Sequence, residues 1–143
     1  MIGMSLLPAS CLRVWILRIC GVKIGSGCYI GFNVICDTNF PSLIEIGNHV
    51  TISHNSIIYA HTGTPAACYL STIYNDYKIV KIGDGAWIGA RSTILPGAEV
   101  ADNCMIGAGS VVSKITTSFA LYAGNPCKKI KDLPKPTTHK EIS

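Results

Sequence analysis

From Lys81 to Ser113 an aliphatic residue recurs at every sixth position, at Ile82, Ile88, Ile94, Val100, Ile106 and Val112. This period fits neither an amphipathic helix, whose apolar residues fall three and four apart, nor a half-buried strand, where they alternate. A fixed repeat of this kind has no core within one unit and buries its apolar face only by stacking unit on unit. The same count appears upstream in two shorter runs, Ile24, Ile30, Cys36 and Ile46, Ile52, Ile58. Ten residues separate Cys36 from Ile46 and twenty-four separate Ile58 from Ile82, so each break follows the third member of a set of three.

Three hexapeptides to a turn give four coils, headed by Ile24, Ile46, Ile82 and Val100. Nine of the twelve inward residues are isoleucine, a side chain that suits short strands stacked about 4.8 Å apart around a narrow interior. Two positions before the inward residue the side chain is small (Ala86, Ser92, Ala98, Cys104, Ser110), and directly after it glycine recurs (Gly25, Gly31, Gly47, Gly83, Gly89, Gly107). Tight corners require both. The fold class expected is all-β: a parallel β-helix of about four triangular coils.

The flanks read differently. Leu6 to Cys20, with Pro8 near its start, Ser10 as an N-cap candidate and Gly21 after it, frames a short helix. It serves either as a lid over the first exposed coil edge, since stacked arrays need covered ends, or as a shallow membrane-surface anchor through Leu12, Trp15, Ile16 and Ile19. Ala120 to Asn125 reads as one more strand ending in a turn at Gly124, Asn125 and Pro126, and Cys127 to Leu133 as a short basic helix. The division expected is 1–23 as a cap, 24–133 as the β-helix with a loop at 59–80, and 134–143 as a frayed tail.

The chain is 48% hydrophobic and 14% charged, apolar enough to fill a core. Its seven cysteines are an odd number without a CxxC pair, which reads as reduced thiols in a cytoplasmic protein. Arg13 and Arg18 interrupt the most apolar stretch, which is too short to span a membrane, and no basic residues precede it as in a signal peptide. The net charge of +4 is modest and, although lysines gather near the C-terminus, makes no case for nucleic acid.

The segments IGDGAWIGARSTILPGAEV, IGAGSVVSK and AGNPCKKI resemble the hexapeptide-repeat acyltransferases, in particular the maltose/galactoside acetyltransferase and polysaccharide O-acetyltransferase branch. The opening LRxxGVKIG is similar to the polysaccharide-modifying members. The resemblance covers about Ile24 to Lys131 and implies a left-handed coil, an exception to the usual crossover rule. It also implies acetyl-CoA as acyl donor, no metal, and a homotrimer with active sites between subunits. The acceptor it points to is a sugar or polysaccharide precursor.

Insertions leaving the same corner of neighbouring coils emerge side by side. Asp37 opens the short insertion and His61 lies three residues past Ile58, so a carboxylate and an imidazole reach one edge, an arrangement that suits a base and its orienting partner. In the family this resembles, a histidine in the long loop is the general base and a carboxylate in the preceding insertion supports it. The resemblance further places Trp87 at the acyl-transfer site, the oxyanion donor at the Ala90 N–H, Asn33 near the acceptor, and Ala108, Ser113 and Lys114 along the pantetheine arm. Lys128 and Lys131 would approach the nucleotide phosphates, where relatives often carry arginine; lysine offers a point charge without bidentate geometry. Tyr69 and Tyr74 in the long loop are acceptor candidates, or else pack that loop on a neighbouring subunit.

Blander roles stand beside these: His61 as a solvated loop residue, Asp37 as a turn former in Asp-Thr-Asn, Trp87 as outer-face packing, and the lysines as a solvated tail. Two other classes share the architecture. A γ-type carbonic anhydrase needs three histidines, and although His49 and His54 are suggestively spaced, only Arg13 stands where a third ligand is expected upstream. A non-catalytic scaffold would keep the coils alone.

Overall fold

The computed structural model describes residues 10–63, 69–73 and 77–136. Tyr74, Cys68, the start of the expected helix before Ser10, and the tail from residue 137 lie outside them. A helix, α1 (Ser10–Ile19), precedes twelve short strands: β1 (Lys23–Ile24), β2 (Tyr29–Ile30), β3 (Ile35–Cys36), β4 (Ile44–Ile46), β5 (Thr51–Ile52), β6 (Ile57–Ile58), β7 (Val80–Ile82), β8 (Trp87–Ile88), β9 (Thr93–Ile94), β10 (Glu99–Val100), β11 (Met105–Ile106) and β12 (Val111–Val112). Two longer strands, β13 (Ala120–Ala123) and β14 (Lys128–Asp132), follow.

The strands form three parallel faces of a triangular coil. The first face orders β1-β4-β7-β10, the second β2-β5-β8-β11 and the third β3-β6-β9-β12. Register matches the six-residue count: Ile24 pairs with Ile46, Ile46 with Ile82, and Val100 with Ile82. Inward isoleucines at 30, 52, 58, 88 and 94 are fully buried, each contributing roughly 1.5–3 kcal/mol by leaving water. Ser56, Ser92 and Ser110, buried at one corner, donate their hydroxyls to Gly89 O, Gly107 O and Gly107 O, so the small corner residues carry no unmet polar atom.

Outward residues differ from face to face. The first carries an alternating charge ladder, Lys23, Glu45, Lys81, Glu99, in which Lys23 Nζ donates to Glu45 Oε1 at 2.8 Å. The second presents Tyr29, Thr51, Trp87, Met105 and Leu121. The third presents Ile35, Ile57, Thr93 and Val111.

The ends are closed by different means. Helix α1 packs on β1 and β2, and its polar groups meet the unpaired edge of the first coil. Ser10 Oγ accepts from Ile30 N–H (2.8 Å), buried Arg13 donates to Ile30 O (2.8 Å), and Arg18 donates to Ile24 O (3.0 Å) and Gly25 O (2.5 Å). Ser10 therefore caps a strand edge rather than its own helix. The two arginines that interrupt the apolar run are what allow it to sit on backbone carbonyls, while Leu12, Trp15 and Ile19 stay exposed. Among the described residues no helix is long and apolar enough to cross a membrane.

At the other end, Ala120–Ala123 adds a strand to the second face as expected, pairing with β11. The basic helix expected at 127–133 is instead β14, antiparallel to β13. The helix reading rested on composition, but β13 would otherwise present an open edge, and the Gly124–Pro126 turn returns the chain to pair with it; four exposed charges on β14 then blunt the new edge.

Candidate active site

The second-to-third corner turns through residues 31–34, 53–56, 89–92 and 107–110, the same length each time. The third-to-first corner does not: it passes through 37–43, then 59–79, then 95–98. Both irregular segments begin as continuations of the ladder, with Asp37 N donating to Ile58 O and Tyr59 N to Ile94 O, each at 2.9 Å. The chain leaves the coil only after the backbone has been placed.

Asp37, 2% exposed, is met by donors on both carboxylate oxygens. Oδ1 accepts from the Asn39 and Phe40 N–H groups at 3.0 and 3.2 Å, and Oδ2 accepts from Ala60 N–H at 3.0 Å and is hydrogen-bonded to His61 Nδ1. One oxygen thus forms the turn and the other holds the imidazole, so turn former and histidine partner are not alternatives. Burial opposes ionisation of Asp37, yet the hydrogen bonds from His61, Ala60, Phe40 and Asn39 outweigh it and hold the carboxyl below its ordinary range.

A charged carboxylate surrounded by donors fixes the tautomer. Nδ1 of His61 donates to Asp37, so in the neutral imidazole the lone pair is on Nε2. The histidine backbone is held by an antiparallel bridge to Tyr77 and by Lys78 N–H donating to Ala60 O at 2.9 Å. Gly63 lies beside the Nε2 edge: a Cβ there would stand 3.4 Å from Nε2 and 3.3 Å from Cδ2, so the missing side chain leaves that edge clear.

The remaining candidates fall elsewhere on the coil. Asn33, Ala90 and Ala108 line the second-to-third corner in the first, third and fourth coils; Asn33 Nδ2 donates to Asn55 Oδ1 at 3.0 Å and Gly109 N to Ala90 O at 2.8 Å. Asn33, Asn55 and Arg91 take left-handed backbone there (φ 53°, 61° and 59°), a conformation that Asn tolerates better than most residues. Trp87 points outward from β8, half exposed, with Nε1–H donating to Ser53 Oγ at 3.3 Å. Lys128 and Lys131 are exposed on β14. Ser113 and Lys114 follow β12 at the third-to-first corner, two coils from the dyad, and Tyr69 is 77% exposed in the long loop. Asp37, His61, Ser113 and Lys114 therefore occupy one edge of the third face, and Asn33, Ala90 and Ala108 the other.

His49 and His54 stand at different corners, His49 with φ 54° after β4 and His54 after β5 with its Nδ1 accepting from Phe32 N–H at 2.7 Å. Among the described residues no three His, Cys, Asp or Glu gather as a metal site. Phe40 and Gly63 escaped the sequence reading, as did the contacts of Arg13 and Arg18 with the first coil's edge. An arginine in the opening helix is a legible signal once the coil's bare edge is considered, whereas Gly63 follows no repeat position.

Residues 79–114 match the family described as bacterial transferase hexapeptide (six repeats). A solved maltose O-acetyltransferase from Clostridium difficile 630 is 30% identical, with a TM-score of 0.64 over 93% of this chain and 81% of that one. The chain belongs to the hexapeptide-repeat acetyltransferase family. Its coil is the left-handed parallel β-helix of that family. A solved galactoside acetyltransferase in complex with coenzyme A is 25% identical, with a TM-score of 0.62 over 92% of this chain and 75% of that one. The galactoside O-acetyltransferase of Escherichia coli (strain K12) is 33% identical over 113 residues, 78% of this chain and 54% of that protein. The chain spans 54% to 66% of the length of the first curated relatives it matches.

Proposed function

We propose that the protein is an acetyl-CoA-dependent O-acetyltransferase acting on a hydroxyl of a sugar or polysaccharide precursor, with His61 as general base. The observation that carries this reading is the hydrogen bond between Asp37 Oδ2 and His61 Nδ1, made on a carboxylate kept ionised by four donors. His61 Nε2 takes the proton of the acceptor hydroxyl as that oxygen attacks the thioester carbonyl. The Ala90 N–H stabilises the oxyanion. Collapse breaks the C–S bond, and the imidazolium returns its proton to the departing CoA sulfur.

Acetyl-CoA as donor is supported by the family and by the galactoside acetyltransferase solved with coenzyme A. The track it would follow is the second-to-third corner, where Ala90 and Ala108 keep side chains small and Lys128 stands near the top of the column on β14.

The two groups of site residues lie on opposite edges of the third face. A neighbouring copy that sets its second-to-third corner against the dyad would bring the two groups together. The charged first face and the apolar second and third faces fit such packing, with the first left in solvent. We infer a homotrimer with sites between subunits on this ground and on the family likeness.

The test is thiol release from acetyl-CoA with a panel of mono- and oligosaccharide acceptors, the product identified by mass gain of one acetyl group. His61→Ala is expected to lower kcat roughly 100- to 10,000-fold with an unchanged circular dichroism spectrum. Equal rates in the two proteins would remove His61 from the mechanism.

A further inference from the structure

The short insertion and both ends of the long one meet on the side chain of Phe40. Its ring centroid lies 5.2 Å from that of the His61 imidazole, with the planes at 61°, and 4.5 Å from that of Tyr77 at 59°. His61 and Tyr77 face one another across the antiparallel bridge that closes the base of the long loop. Phe40 is thus in contact with the first and last residues of that closure at once.

Its own stance is fixed from both sides. The Phe40 N–H donates to Asp37 Oδ1, and its carbonyl accepts from Leu43 N–H at 3.1 Å. Pro41 follows directly and starts a 3-10 turn at Pro41–Leu43, with Phe40 at φ −131°, ψ 54°. The same carboxylate therefore anchors the imidazole through one oxygen and the backbone bearing the aromatic ring through the other.

A single hydrogen bond at Nδ1 holds one edge of an imidazole and leaves the ring plane able to swing about it. The direction of the Nε2 lone pair then depends on what touches the ring face, and an edge-to-face aromatic contact is a directional one. Tyr59 makes a more distant contact, its centroid 6.5 Å from that of His61.

We propose that Phe40 is a positioning residue for His61, holding the imidazole plane so that Nε2 faces the clearing beside Gly63. This rests on the reading of His61 as the base. Phe40 acts through the histidine and not on the acceptor.

The experiment compares Phe40→Ala, Phe40→Leu, which keeps apolar bulk without a ring, and Phe40→Tyr. Steady-state kinetics are measured alongside the ¹⁵N spectrum of the His61 imidazole. In the alanine and leucine variants kcat is expected to fall roughly 10- to 100-fold, the cost of a misplacement near 1 Å. KM for acetyl-CoA should stay within about twofold, and the ring signals should shift and broaden as the imidazole plane loses its fixed orientation, with the tautomer still set by Asp37. Phe40→Tyr should restore both. Leucine alone suffices if the alanine variant does not fold. Wild-type kcat in Phe40→Leu, or an unchanged imidazole spectrum, overturns the proposal. A fully active His61→Ala would instead refute the base assignment, and the imidazole spectrum would still decide whether Phe40 orients the ring.

Discussion

The second-to-third corner and the third-to-first corner bound the same face of the coil, yet one is monotonous and the other is not. At the first, every turn has the same length, so the corners bond one to the next: Asn33 donates to its equivalent Asn55, the Gly109 N–H to Ala90 O, and the Ser92 hydroxyl to Gly107 O. At the second, the turns run 37–43, 59–79 and 95–98, and the stacked column is replaced by a carboxylate held by three backbone N–H groups and a histidine. Regularity yields a rigid wall that any repeat sequence can build. Chemistry needs groups of different kinds brought together, and a strict repeat would only deliver copies of one kind.

The largest effect should come from Asp37→Asn. All four groups around this side chain are donors, so the amide brings a fifth donor where an acceptor is needed. Facing His61, that amide favours the tautomer with hydrogen on Nε2, which cannot take a proton; by the logic of aspartate-oriented histidines kcat should drop by up to about 10,000-fold. Stability should fall by about 2 kcal/mol from the mismatched donors. The pH dependence has a definite sign. A carboxyl held below its ordinary value in the folded state adds stability above its unfolded value and loses it as pH falls through the folded one. The stability gap between wild type and Asp37→Asn, measured by urea denaturation, should therefore narrow on acidification. A gap that widens would mean the carboxylate is not held by these donors.

Next in size is a stability effect at the regular corner. A Cβ on Gly89 would lie 2.6 Å from Ala108 N and Ile106 O, backbone atoms of the next coil that cannot move without opening the stack. Gly89→Ala should cost about 3 kcal/mol. One coil on, Gly109→Ala meets nothing within 4 Å and is opposed only by its φ of +70°, a cost of about 1–2 kcal/mol. If the two substitutions cost the same, close stacking is not what holds this corner.

Much of this was legible beforehand. The six-residue count gave the four coils, the strand register and the inward residues, because a stacked repeat writes its packing directly into spacing. The meeting of Asp37 and His61 was also legible, since a break in a known register has a known place. What spacing could not carry was anything off the repeat. Arg13 and Arg18 read as interruptions until the bare edge they cover was visible. The basic segment at Lys128–Asp132 looked helical by composition and became a strand because β13 offered an open edge. The contact of Phe40 with His61 depends on the path of an insertion, which no period describes.

The smallest expected effect separates the corners by their local opening. Cys36 precedes the irregular third-to-first corner, while Cys104 sits at the regular first-to-second corner, and both are buried. Burial first, then the charge of Asp37 and the nearby Cys20 push the Cys36 thiol up to about 12, and burial raises Cys104 as well, so neither reacts as a thiolate in the closed fold. Reaction with iodoacetamide at about pH 8 then requires local opening, and its rate reads the opening free energy. Exposed Cys11 and Cys20 should label at once. Between the buried pair, Cys36 should label before Cys104, because β3 is an edge strand and the segment it leads into is held by hydrogen bonds to one carboxylate, whereas Cys104 leads into β11, which is paired with β8 on one side and β13 on the other. Peptide mass spectrometry over a time course measures the order, and Cys104 reacting first would mean that the insertion corner is the better protected of the two.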